Sequence, residues 1–252
     1  MINLRTTFVL YIIVLVLVYL FLPWKGLFFS AVTLLLLVHL IYCSFNICSQ
    51  AYLKTICKAD TTEKKIALTF DDGPNEYTHE VLDILDKQNI KSTFFCVGTN
   101  IDNNKDILKE INRNGHIIGN HTWSHHKWFD FFPSKKMKKD IVKNAELIYQ
   151  QTGKKVKLFR PPYGVTNPPL KKAIADLNYH TIGWSIRSLD TIKKPEKVIR
   201  KLTQKISPGD IILLHDNRKE ITQILESFIT FAKDNSFQIV RLDKLLNIDP
   251  YE

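Results

Sequence analysis

The sequence predicts an α/β chain: a closed or nearly closed β/α barrel of about seven units, preceded by two membrane-crossing helices. Three observations carry this. Short apolar runs rich in β-branched and aromatic residues alternate with amphipathic stretches of helical period along residues 64 to 248. Residues 1 to 53 hold no acid and two bases only, Arg5 and Lys25. Ionisable groups then gather just after the predicted strands, which in a barrel form one face. Composition is consistent with such a chain: 252 residues, 45% hydrophobic, nine glycines and four cysteines exclude a collagen-like, disordered or disulfide-stapled protein.

From the N-terminus, the 19 uncharged residues Thr6 to Trp24 and the 28 from Gly26 to Leu53 can each span a bilayer core of roughly 30 Å. The first run ends Phe21-Leu22-Pro23-Trp24, which lacks the small-x-small site of a cleaved signal peptide. Two retained helices are expected, turning at Pro23-Trp24-Lys25-Gly26, with His39 packed within the pair. The division is then 1–53 membrane anchor, 54–63 polar stalk and 64–248 barrel. Cys43 and Cys48 fall in the anchor, Cys57 beside it and Cys96 in a buried strand, so reduced thiols are expected. Arg5, Lys54 and Lys58 outnumber Lys25, a count that leans weakly towards a cytoplasmic barrel.

Strands are expected at Ile66–Phe70, Ser92–Val97, His116–Ile118, Val156–Phe159, His180–Ser185, Asp210–Leu214 and Phe237–Leu242. Helical period appears between them at Val81-Ile84-Leu85, Ile107-Leu108-Ile111, Ile141-Ala145-Ile148, Ile199-Leu202-Ile206 and Ile224-Leu225-Phe228. An open doubly wound sheet is the alternative, but no Gly-rich dinucleotide loop follows the first strand.

Asp71 and Asp72 follow the first strand, His121 and His125 the third, Arg160 and Tyr163 the fourth, Asp190 the fifth and His215 the sixth. Two histidines four apart on a helical turn can reach one ion at roughly 2.0–2.1 Å. Adjacent carboxylates leaving a strand point to different sides, so one can bind a metal while the other stays free as a base. In Arg160-Pro161-Pro162-Tyr163-Gly164, two prolines set φ and make a rigid loop. That loop can aim the Tyr163 N–H at an oxyanion while Arg160 pairs with a carboxylate. Asp190 can serve as a carboxylate partner for His215.

The segments TFDDGP at 69–74, HTWSH at 121–125, RPPYG at 160–164 and LLH at 213–215, in this order, resemble the polysaccharide deacetylase domain (carbohydrate esterase family 4, NodB-homology). The resemblance covers roughly residues 60 to 246. It implies a distorted, NodB-like (β/α) barrel and metal-dependent removal of acetyl groups from N-acetylated sugars. It implies a metal triad of Asp72, His121 and His125, with Asp71 as base and Arg160 as its partner. It further implies an oxyanion N–H from Tyr163, and His215 as general acid supported by Asp190. The family's D-x-x-D-W motif is altered: Arg187 stands at the first acid and Thr191 at the tryptophan, which changes the wall of the acetyl pocket.

The expected function is deacetylation of an N-acetylglucosamine-type polysaccharide or cell-wall glycan. The cofactor is a divalent ion, Zn²⁺ by preference from two imidazoles and a carboxylate, with Co²⁺, Ni²⁺ and Mn²⁺ admitted by so open a site. Partners are the N-acetylated glycan and membrane lipids around the two N-terminal helices. Such a substrate places the barrel outside the cell, against the charge count. Competing expectations are a cytoplasmic-face deacylase of a lipid-linked sugar precursor, an O-acetyl esterase of the same fold, and a carbohydrate-binding pseudoenzyme. Residues 54 to 252 carry 33 Lys and Arg against 25 acids, including Lys135, Lys136, Lys138, Lys139 and Lys143 on one helix. No nucleic-acid module accompanies them, so the lysines read as a solvated face and no nucleic-acid partner is expected.

Overall fold

In a computed structural model, residues 4–21 and 24–252 are described. The chain begins with α1 (Leu4–Phe21) and α2 (Lys25–Phe45), followed by a 3₁₀ turn at Ile47–Ser49. Then come β1 (Thr55–Ile56), β2 (Lys65–Asp71), α3 (Thr78–Lys87), β3 (Thr93–Cys96), α4 (Gly98–Asn103), α5 (Lys105–Arg113) and β4 (Ile117–Asn120). Next are α6 (Ser134–Thr152), β5 (Leu158–Phe159), α7 (Pro168–Ile174), β6 (His180–Ile182), β7 (Ile186–Arg187) and α8 (Pro195–Lys205). β8 (Ile211–His215), α9 (Ile221–Asp234), β9 (Gln238–Ile239) and α10 (Leu242–Leu246) complete it.

Every strand pairing is parallel, in the order β1-β6-β5-β4-β3-β2-β8-β7, with β9 added beside β2. Among the described residues β7 and β1 do not pair, so the sheet curls into an incomplete barrel instead of closing. Both faces of a parallel sheet are covered, which is why the strands read as unbroken apolar runs. Along β2, Ile66, Leu68 and Phe70 pack with Leu82 and Leu85 of α3 and Phe228 of α9. Ala67, one step out of phase, joins Phe95, Leu158, Ile182 and Ile211 in an inner cluster with Leu242 of α10. The period-2 alternation of side chains therefore turns Thr69 and Asp71 to the same side as Ala67.

One sequence expectation is not confirmed by the structure, and two need correction. Among the described residues the apolar stretch of α1 runs from Thr6 to Phe21, roughly 24 Å at 1.5 Å per residue. Among the described residues, α2 is the one helix long and apolar enough to cross a membrane, so the expected two-helix transmembrane hairpin is not confirmed. Of the expected turn Pro23-Trp24-Lys25-Gly26, Pro23 lies outside the described residues, Trp24 is the N-cap of α2, and Lys25 and Gly26 open that helix. Second, the segment expected as a stalk is part of the sheet: β1 pairs with β6, Lys58 bridges Asp210 at 3.1 Å, and the Ala59 N–H donates to the Gly209 carbonyl. Third, Cys48 lies beyond α2 and forms a disulfide with Cys57, leaving Cys43 and Cys96 as buried free thiols.

Candidate active site

Strand register assembles the site. Parallel neighbours end on the same side, and Asp71 of β2 stands directly opposite His215 of β8 and Phe95 of β3. Cys96 pairs with Asn120, and Asn120 with Phe159, so His121 and Arg160 emerge one residue beyond adjoining strand ends. All eight residues singled out in the sequence meet here. Asp71, Asp72, His121, His125, Tyr163 and His215 line a cavity of about 260 Å³, with Arg160 behind Asp71 and Asp190 behind His215. A second cavity, of about 450 Å³ at Lys157, His180 and Asp249, opens at the N-terminal strand ends, away from this constellation.

His121 and His125 are not on a helical turn, as their spacing suggested; they sit in a loop. Its shape comes from side chains capping backbone donors. The Thr122 N–H donates to Asn120 Oδ1 at 2.9 Å and the His125 N–H to Thr122 Oγ1 at 3.2 Å. Asp72, Thr122, His125 and Tyr163 all adopt positive φ (71°, 66°, 41° and 57°), conformations that non-glycine residues hold only when their surroundings dictate them. Asn100 helps at Asp72, donating to its carbonyl at 2.6 Å.

The donor set suits one divalent ion. His125 Nε2 and His121 Nε2 lie 3.4 and 3.6 Å from Asp72 Oδ1, and the ligand atoms of the three residues all fall within 4.8 Å of one another. Ligands at roughly 2.0–2.2 Å in tetrahedral array are spaced by about 3.3–3.5 Å. His121 Nδ1 is 2.7 Å from the Arg160 carbonyl, so it carries the proton and leaves the Nε2 lone pair towards Asp72. Burial, reinforced by neighbouring His125, lowers the His121 pKa to about 3, so the ring is the neutral form a metal requires.

Asp71 is held for a different task. Its Oδ1 accepts from Arg160 Nη1 at 2.6 Å, while Oδ2 faces the cavity 3.9 Å from His121 Nε2. Arg160, wholly buried, also donates to Thr69 Oγ1 at 2.8 Å, the Ile182 carbonyl at 3.1 Å and the Gly183 carbonyl at 2.9 Å. Its guanidinium lies 4.1 Å from the Phe95 ring centroid. Burial raises the Asp71 pKa above the ordinary carboxylate value, and Arg160 opposes that rise.

His215 is tied to Asp190 twice, through its backbone N–H to Oδ2 at 2.7 Å and through Nδ1 to Oδ1 at 2.8 Å. The Ser188 hydroxyl donates to the same Oδ1 at 2.8 Å. Burial alone would lower the His215 pKa, but the Asp190 carboxylate more than offsets it and raises the value to about 9. The imidazolium is thus present at neutral pH, with Nδ1–H spent on Asp190 and Nε2–H free to donate.

Sequence reading missed Trp184 and Asp216. Trp184 completes the cavity wall with Leu213 and with Arg187 and Thr191, the two residues expected there, and Gly164 (φ 72°) is required because a Cβ there would come within 2.3 Å of the Trp184 ring. Trp184 carried a usable signal, an aromatic ending an apolar run. Asp216, whose pKa burial raises to about 7, accepts from the Thr78 hydroxyl at 2.6 Å and packs against Gly73, bracing the Asp71-Asp72-Gly73 turn. No spacing rule reveals that pairing.

Comparison with known proteins agrees with this geometry. A family model for polysaccharide deacetylase matches residues 58–182. The chain is 32% identical over 186 residues to peptidoglycan-N-acetylglucosamine deacetylase PgdA of Listeria monocytogenes, a match covering 73% of this chain but 39% of that protein. It is 32% identical over 193 residues to peptidoglycan-N-acetylmuramic acid deacetylase PdaA of Bacillus subtilis, covering 74% of this chain and 73% of the relative. Among solved structures, the Bc1960 peptidoglycan N-acetylglucosamine deacetylase superposes with TM-score 0.73 at 28% identity, over 78% of this chain and 94% of that one. Four motifs converging on one cavity and these likenesses agree: the chain belongs to the polysaccharide deacetylase family.

Proposed function

We propose that this chain is a metal-dependent deacetylase that hydrolyses the N-acetyl groups of a cell-wall glycan on the extracytoplasmic side of a membrane. The observation that carries the reading is the approach of Asp72, His121 and His125 to one another beside a free Asp71 oxygen and a cationic His215. A divalent ion, Zn²⁺ by preference, would be held by those three residues and would supply a Lewis acid that polarises water and the acetyl carbonyl.

Asp71 takes a proton as water oxygen bonds to the carbonyl carbon, and Arg160 keeps that carboxylate oriented. The Tyr163 N–H faces the oxyanion that develops. When the C–N bond breaks, His215 Nε2–H donates to the leaving nitrogen, so acetate and a free amine result. Amines leave poorly, which makes the acid indispensable.

Topology follows from α2 as the spanning helix with α1 alongside it, Tyr11 Oη lying 3.1 Å from Thr33 Oγ1. The Cys48–Cys57 disulfide supports an oxidising, external compartment. Lys58, counted earlier as cytoplasmic charge, is engaged with Asp210, which weakens the opposite inference.

Acetate release from a panel of N-acetylated glycans tests the reading. Activity disappears with a chelator and returns on adding Zn²⁺; turnover unchanged by exhaustive chelation overturns it. A pH profile checks the acid. Since His215 must be protonated, turnover persists below its pKa and falls as pH rises through about 9. Asp190→Asn moves that alkaline limb to near or below the ordinary imidazole value of about 6.5. An unmoved limb would remove His215 from the acid's role.

A further inference from the structure

The link between α2 and the catalytic barrel is short and heavily bonded. The Ser44 carbonyl, in the last turn of α2, accepts from the Thr166 N–H at 2.9 Å, and the Leu40 carbonyl accepts from the Tyr52 hydroxyl at 3.3 Å. Ser49 Oγ donates to the Cys43 carbonyl at 2.8 Å, and the Cys48–Cys57 disulfide follows immediately. The end of the spanning helix is thus fixed against the loop that continues from Tyr163 and Gly164 of the site.

Facing that same end is the loop that continues from His125. Phe131 is 80% exposed and Trp128 56% exposed, their ring centroids 5.8 Å apart, and Asn167 Nδ2 donates to the Asp130 carbonyl at 2.8 Å. Between the loop and α2 runs an apolar cleft of about 310 Å³, lined chiefly by Leu40, Ile41, Phe45, Tyr52, Phe131 and Val165. Ile41 and Phe45 are themselves 57% and 71% exposed, so the apolar surface of the helix continues into the cleft without a break. Lys127 lies 6.0 Å from the Trp128 ring centroid and Lys136 3.5 Å from that of Phe132. Aromatic side chains collared by lysines fit the level of lipid headgroups.

We propose that the Trp128–Phe131 loop and the last turns of α2 form one bilayer-contacting surface, with phospholipid hydrocarbon entering the cleft between them. The catalytic cavity then works at the membrane surface instead of swinging on a tether. This rests on α2 spanning the membrane. The polarity of the cleft agrees: Asp130, at its edge, has its pKa raised to about 6 by burial.

Depth-dependent fluorescence quenching tests it, using the full chain in vesicles of phosphatidylcholine and phosphatidylglycerol. Cys43 and Cys96 are buried, so an environment-sensitive thiol label goes to one introduced cysteine: Phe131→Cys, with Trp128→Cys as a second probe. Leu35→Cys on α2 is the bilayer reference and Lys244→Cys on α10 the aqueous one. Phospholipids spin-labelled near the headgroup should quench the labels at 131 and 128 several-fold more than that at 244, with aqueous iodide giving the reverse order, and phospholipids spin-labelled far down the acyl chain should quench the label at 35. Lipid quenching at 35 but not at 131 or 128 overturns the surface and leaves the spanning helix standing. No lipid quenching at 35 overturns both.

Discussion

Asp71→Asn is expected to lower turnover by on the order of 10²- to 10⁴-fold, the range for loss of a positioned general base. An asparagine fills the same volume and still accepts from Arg160, so the site keeps its shape and loses one proton acceptor. The Asp72 set is untouched, which predicts unchanged metal content beside the lost turnover. Steady-state acetate release and metal analysis of one preparation check both halves. Turnover within a few-fold of the parent would assign the base elsewhere. The acidic side of the parent's pH profile gives a second check. Burial raises the Asp71 pKa, so activity falls as pH drops through a value above that of an exposed aspartate.

Arg160→Leu should cost about 3–5 kcal/mol of stability, because removing one partner of a buried ion pair strands the other's charge. For a domain of this size that is a fall in Tm of roughly 6–20 °C. Here the stranded group is Asp71, 3% exposed, and three further acceptors, Thr69 Oγ1 and the Ile182 and Gly183 carbonyls, lose their donor as well. Leucine fills part of the space but offers no hydrogen bond. Arg160→Lys keeps the charge while losing the planar fork, so it should retain part of the stability and less of the activity. Thermal unfolding of the full chain in detergent measures the shift. An unchanged Tm for the leucine variant would mean that Asp71 is protonated in the folded state and the pair carries no charge.

How far the sequence could be read follows from where each signal lies along the chain. The parallel α/β architecture was legible because β2, β3 and β8 are runs covered on both faces, and α3, α5, α8 and α9 carry clear apolar faces. β1 and β7 were not, because two residues carry no alternation. Hence Lys54–Glu63 read as a polar stalk although it contributes a sheet edge. The candidate constellation was legible as residue types at strand ends, and the parallel register explains why that works: Asp71 opposite His215 is a property of two neighbouring strands. The loop geometry around His121 was not legible, since it depends on Asn120 and Thr122 side chains capping backbone donors. The disulfide was missed because the apolar run from Gly26 to Leu53 outlasts the helix, which stops at Phe45 and leaves Cys48 outside it. Trp184 and Thr191, seven residues apart in sequence, both wall the cavity, a proximity that motif spacing alone does not reveal.

Metal stoichiometry of ligand variants tests the central claim most directly. Apoprotein titrated with Co²⁺, followed by its visible absorption and by metal analysis, should take up about one ion per chain through two imidazoles and a carboxylate. Asp72→Asn and His125→Ala are the variants of choice, because both side chains are partly exposed and their loss should spare the core. Each should abolish the absorption band and the tight equivalent while leaving Tm near that of the parent apoprotein. Full, equally tight binding in both variants would show that the ion, and with it the hydrolytic chemistry, is held by other residues.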